Sequence, residues 1–147
     1  MTISGYCYKF DEEFGNTGHK VSNDEIIQSE CERSLLIPVL VFPEFISHYN
    51  LSNKDLRQAV GTARLKNDGI GIYTEITLFK DGECTSVYRN LDDGFIKNDL
   101  NLGLSLSTPQ EGRSIFTSEP YNKCRISYVV LGRFMTSHIY KPDSVVR

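Results

Sequence analysis

A chain of 147 residues is long enough to bury one hydrophobic core, and no Pro-, Gly- or Ser-rich linker divides it, so a single domain over residues 1–147 is expected. Sixteen basic against nineteen acidic residues leave a net charge of -3, which argues against nucleic acid as a partner because the cationic footprint is missing. No apolar run approaches the roughly 20 residues that span a bilayer, so no membrane partner is expected either. Met1 to Asp11 carries neither a charged leader nor an apolar h-region, and secretion is not expected. Cys7, Cys31, Cys84 and Cys124 are unevenly spaced with no Cys-x-x-Cys pair and no histidine at ligand spacing. They read as reduced thiols of an intracellular protein, with no metal and no cofactor.

In chain order, Ile3 to Phe10 alternates as a strand, and its aromatic positions Tyr6, Tyr8 and Phe10 are expected to form the buried face. Gly15 to Gly18 is turn chemistry, and Ser22-Asn-Asp-Glu25 reads as a capping box opening a helix to about Arg33, with Ile26, Ile27 and Cys31 inward. Leu35 to Phe42 is an apolar run suited to a buried strand, with Pro38 pointing to a sheet edge or a bulge. Ser52 to Val60 reads as a short surface helix after a loop carrying His48. Gly61 to Lys66, the turn Asn67-Asp68-Gly69, and Ile70 to Phe79 form a hairpin, since those turn residues tolerate positive φ. Asp81-Gly82 turns the chain into Glu83 to Arg89, and Leu91 to Leu100 reads as a helical turn weakened by Gly94. In Asn101 to Thr108, Leu102, Leu104 and Leu106 alternate with Gly103, Ser105 and Ser107, giving a strand with one apolar and one small polar face. Cys124 to Leu131 and Phe134 to Tyr140 read as two further strands joined at Gly132-Arg133, and the tail is expected to be loose or helical.

About eight short strands with two or three peripheral helices are most economically arranged as a closed or nearly closed antiparallel β-barrel, because closure removes exposed edges. An open sheet with helices on one face is the alternative.

A hydroxyl on the open face of a strand, such as Ser105, is placed as a serine nucleophile requires, and the same pattern is what any half-solvated strand presents. A general base for Ser105 has to come from His19, His48 or His138 if it is a histidine. His19 lies in a Gly-rich turn and His138 in the last strand, whereas His48 follows the Leu35 to Phe42 strand on a loop that could swing toward Ser105. The acidic pairs Glu12-Glu13 and Asp92-Asp93 read as solvated faces, and Gly69-Ile-Gly71 belongs to a hairpin rather than a phosphate loop.

Several stretches in the same order resemble the herpesvirus maturation proteases, called assemblins, and the related phage prohead proteases. Gly5-Tyr-Cys-Tyr-Lys-Phe-Asp11 is similar to the family's first strand, and Val60-Gly-Thr-Ala-Arg64 with Gly69 to Leu78 to its central hairpin. Gly103-Leu-Ser-Leu-Ser107 resembles the nucleophile segment, and Arg125-Ile-Ser-Tyr-Val-Val-Leu-Gly-Arg133 the strand and Gly-Arg turn that supply the third triad member and an oxyanion donor. The resemblance implies a mostly antiparallel barrel ringed by helices, with Ser105 as nucleophile and the Arg133 N–H after Gly132 as oxyanion donor. The family's His-Asp pair falls on Pro43-Glu44 in a straight register, and a shift of five residues is needed to bring His48 there. Arg125 stands where the family has His or Glu, and a guanidinium cannot accept the imidazole proton.

The resemblance therefore implies two functions. One is a capsid-maturation serine endopeptidase with Ser105 and His48 as a dyad, cutting scaffold or capsid protein in an infected cell or a procapsid. The other is a noncatalytic relative that keeps the shape for contacts with capsid or scaffold proteins. Assemblins gain activity on dimerising, which implies a homodimer. Apart from the resemblance, an unrelated small β-barrel binding module stands as a third reading.

Overall fold

The computed structural model describes residues 1–12, 20–32, 36–41, 59–81, 89–107, 125–132 and 140–147. Its elements are β1 (Thr2–Lys9), α1 (Glu25–Glu32), β2 (Ile37–Val41), β3 (Gly61–Asn67), β4 (Gly71–Leu78), α2 (Asp93–Asp99), β5 (Asn101–Ser107), β6 (Arg125–Gly132) and β7 (Ser144–Val146). The expected helix at Ser52 to Val60, the strand at Glu83 to Arg89 and the strand at Phe134 to Tyr140 fall wholly or largely outside the described residues.

Seven strands form one sheet in the order β5-β6-β2-β3-β4-β1-β7. The sheet curls into a half-barrel rather than closing, which corrects the expectation of a closed barrel. Curling brings β5 toward β1, but the two strands do not form a ladder, and the chain at 140–143 crosses between them instead. There the Leu102 N–H donates to the Tyr140 carbonyl at 2.7 Å, and the Asp143 N–H donates to the Ser4 carbonyl at 2.8 Å. The sheet is also not wholly antiparallel, since β2 and β6 run parallel over Val39 to Val41 and Val129 to Leu131.

The hairpin of β3 and β4 follows the expected pattern. Gly69 takes a φ of +88, and the Asn67 side-chain oxygen accepts from its N–H at 2.9 Å. The Asp68 carboxylate accepts from the N–H groups of Ile70 and Gly71, so the turn residues satisfy the donors that a tight reversal leaves free. Ile72, Thr74, Ile76 and Leu78 alternate onto the buried face, and the Thr74 hydroxyl is satisfied by the Arg64 carbonyl at 3.2 Å.

Strand β1 departs from its expected face. Ile3 and Gly5 are buried, whereas Ser4 and Tyr6 lie on the half-exposed side. Tyr6 pairs with Tyr73 but Tyr8 pairs with Ile72, so Cys7 is the extra residue of a β-bulge. The bulge switches the strand's parity, which is why Tyr8 is buried although Tyr6, two residues earlier, is not. The Tyr8 hydroxyl accepts from the Val21 N–H at 2.9 Å, which fixes the chain's return to the sheet before α1.

Helix α1 is capped by Asp24, whose carboxylate accepts from the Ile27 N–H at 2.9 Å, and the expected cap Ser22 instead donates to Asp11 at 2.9 Å. An aspartate one residue before the helix meets the free N–H groups of the first turn better than a serine three before it. Ile27 and Cys31 face inward as expected, against β3 and β6. Pro38 lies in an interior strand rather than an edge, yet the parallel ladder to β6 starts only at Val39, so its missing N–H falls where β2 pairs with β3 alone. The tail, expected to be loose or helical, forms β7 against Thr2 to Ser4. One buried cluster collects Ile3, Ile27, Val39, Ile76, Ile96 and Leu131 with their neighbours from the sheet and both helices.

Candidate active site

The candidate nucleophile is placed by α2 and β5 in succession. Asp92 caps α2, accepting from the Phe95 N–H at 2.9 Å, and the helix ends at Leu100, whose backbone is already extended. The chain then runs straight into β5, where burial of Leu102 and Leu104 seats the strand on the core. The backbone of Ser105 is extended as expected and sits opposite Tyr128 of β6. The register shifts at the next step, where Leu106 faces Ile126 and leaves Ser127 as the extra residue of a bulge. Bulges of this kind bend the strand, sharpen its twist and commonly re-aim a side chain beside an active site.

The ladder brings Arg125 close to Ser105 along the adjacent strand, because Arg125 pairs with Ser107. Gly132 pairs with Asn101, four residues along β5 from Ser105, which is roughly 13 Å at the usual rise of a strand. Gly132 itself is therefore out of hydrogen-bond reach of an oxyanion on Ser105. Arg133, like the candidate base His48 and the alternatives His19 and His138, lies outside the described residues.

Asn101 was not singled out by sequence reasoning. It is 6% exposed, and its side-chain oxygen has no hydrogen-bond partner among the described residues. An orphaned buried acceptor costs about 1–3 kcal/mol, and nothing in an Asn between a helix and a strand signals that its side chain will be buried.

The other groups with perturbed chemistry hold the fold. Burial acts to raise the Asp68 carboxyl, but hydrogen bonds from the Tyr6 hydroxyl and from the Gly71 and Ile70 amides outweigh it and hold the group below its usual range. The same hydrogen bond pushes the Tyr6 hydroxyl up, and its ring meets Tyr73 edge to face at 5.1 Å, with the Lys9 ammonium 5.3 Å from its centre. Cys7 donates to the Ile72 carbonyl at 3.3 Å, and burial drives its thiol far upward. Burial, followed by the charges of Glu30 and Glu32, pushes the Cys31 thiol up to about 11. Both thiols are therefore protonated at neutral pH and poor nucleophiles. Cys31 also lines a shallow groove of about 380 Å³ between α1 and the hairpin, with Asn23, Gln28, Lys66 and Asn67 at its walls.

Among the described residues no three His, Cys, Asp or Glu side chains gather to hold a metal, and no helix is long and apolar enough to cross a membrane. No protein-family model matches the chain, and no curated protein is similar to it in sequence.

Proposed function

We propose that the chain is a serine endopeptidase of the assemblin and prohead-protease kind, acting on scaffold or capsid protein during assembly. The observation that carries this reading is the setting of Ser105, on an extended leucine-backed strand at a bulge, with the Arg125 strand beside it in the order that the resemblance implies. In the proposed reaction His48 takes the Ser105 hydroxyl proton as the oxygen bonds to the peptide carbonyl carbon, and a backbone N–H nearer to Ser105 than the Gly132 end of β6 stabilises the resulting oxyanion. The C–N bond then breaks, the leaving amine takes the proton from His48, and water attacks the acyl-enzyme by the same route to release the acid and restore the serine. Arg125 supports neither step, because a cation near the base opposes the imidazolium that forms.

That position is also what favours the second reading, a noncatalytic relative that uses the half-barrel for contacts with capsid or scaffold proteins. Treatment of the folded chain with a fluorophosphonate, followed by mass mapping, separates the two. Modification of Ser105 that disappears in His48→Ala supports the enzyme, and an unlabelled folded protein overturns it. With a cleavable scaffold peptide, Ser105→Ala is expected to abolish turnover and His48→Ala to lower it by about 10²-fold or more, while Arg125→Ala leaves it unchanged or faster.

A further inference from the structure

We propose that residues 140–147 form a releasable strap that closes the seam of the half-barrel and opens without unfolding the rest of the sheet. Its backbone ties are the Tyr140 carbonyl to the Leu102 N–H, the Asp143 N–H to the Ser4 carbonyl, and the three pairs that join β7 to β1. Its side-chain ties are the Tyr140 hydroxyl on Glu12 at 3.0 Å, the Tyr140 ring edge to face on Tyr8 at 6.2 Å, the Tyr73 hydroxyl on the Asp143 carboxylate, and Arg147 on the Arg89 carbonyl and on Asp93 at 2.7 Å, the last pair with side chains 40% and 53% exposed. An ion pair in that much water holds weakly. By contrast, β1 and β3 each meet β4 over seven paired positions, with Ile72 and Ile76 buried between them. Local opening follows the places with the fewest protected hydrogen bonds and the least buried apolar area; of the strap only Pro142 is buried, with Tyr140 and Val145 packed partly against the core.

The seam is also built to admit the strap. At Gly5 a Cβ would lie 3.1 Å from the Lys141 carbonyl oxygen and from Pro142 Cα, and 3.0 Å from a Leu102 methyl. The missing side chain lets residues 141 and 142 cross close over β1. Release would bare the outward edge of β5 at Leu102, on the strand that carries Ser105, and the inference stands whether or not that serine is a nucleophile.

Residue-resolved hydrogen exchange by NMR on the full chain tests it. The amides of Leu102 and Asp143, one on each side of the seam, are expected to exchange together, at least about tenfold faster than the protected amides of β3 and β4 and with little dependence on low urea. Gly5→Ala and Tyr140→Phe are each expected to speed both amides several-fold while leaving β3 and β4 unchanged. Exchange of Leu102 and Asp143 at the rate and urea dependence of β3 and β4 overturns the strap, and so do variants that accelerate every amide equally.

Discussion

Two glycines of the hairpin are needed for opposite reasons, and substitution separates them. At Gly61 a Cβ would sit 2.3 Å from the Thr77 carbonyl oxygen and 3.0 Å from Leu78 Cα, so any side chain forces the β3 and β4 backbones apart. At Gly69 nothing lies within 4 Å, and only the φ of +88 disfavours other residues. Gly61→Ala is therefore expected to cost about 1–3 kcal/mol in urea unfolding, whereas Gly69→Asn, which tolerates positive φ, should stay within about 0.5 kcal/mol. A wild-type midpoint in Gly61→Ala would mean that the strands do not approach so closely. The buried thiols make a second prediction. Cys31 is raised from 9.0 to about 11 in the folded chain, so the unfolded chain loses this proton first as pH rises. Its contribution is fully present below about pH 9 and is lost by about pH 11, with the raised tyrosines Tyr8 and Tyr73 adding the same sign at higher pH. Unfolding free energies measured from pH 8 to 11 are expected to fall, with a shallower fall in Cys31→Ala. An unchanged slope would remove Cys31 as a source.

Where the sequence was legible, one local signal dominated each element. The hairpin could be read because Asn67-Asp68-Gly69 supplies the turn chemistry and the residues after it alternate without interruption, and the structure keeps that register over seven pairs. The extended state of β5 and the start of β6 near Arg125 were legible for the same reason, which is why Ser105 and Arg125 could be assigned to strands before their pairing was known. The rest depended on partners distant in sequence. A single inserted residue at Cys7 inverts the face of β1, and the insertion is defined only by pairing with Tyr73 and Ile72. Ser144 to Val146 is too short to declare itself a strand and becomes one only against Thr2 to Ser4. The burial of Asn101, which pairs with Gly132 across the sheet, is likewise set by neighbours that local pattern does not specify.

The whole sheet consists of two antiparallel blocks, β5-β6 and β2-β3-β4-β1-β7, meeting where β2 runs parallel to β6. The paired residues Val39 and Val129 are about ninety positions apart in the chain, so closing this join costs loop entropy before any reward arrives. Refolding from urea is therefore expected on a time scale of milliseconds or longer, and sub-millisecond recovery of native signal in stopped flow would contradict the topology. Val39, Val129 and Leu131 are fully buried at the join, and Val129→Ala is expected to destabilise the fold by about 2 kcal/mol in equilibrium unfolding. The ladders on both sides of β2 are only three pairs long, whereas those on β4 and between β5 and β6 run to seven. Mechanically β2 is a flexure between two stiffer plates. Bending of the curled sheet concentrates along Ile37–Val41, and a load applied on the Ser105 side reaches the hairpin side mainly through the packing of those few aliphatic side chains.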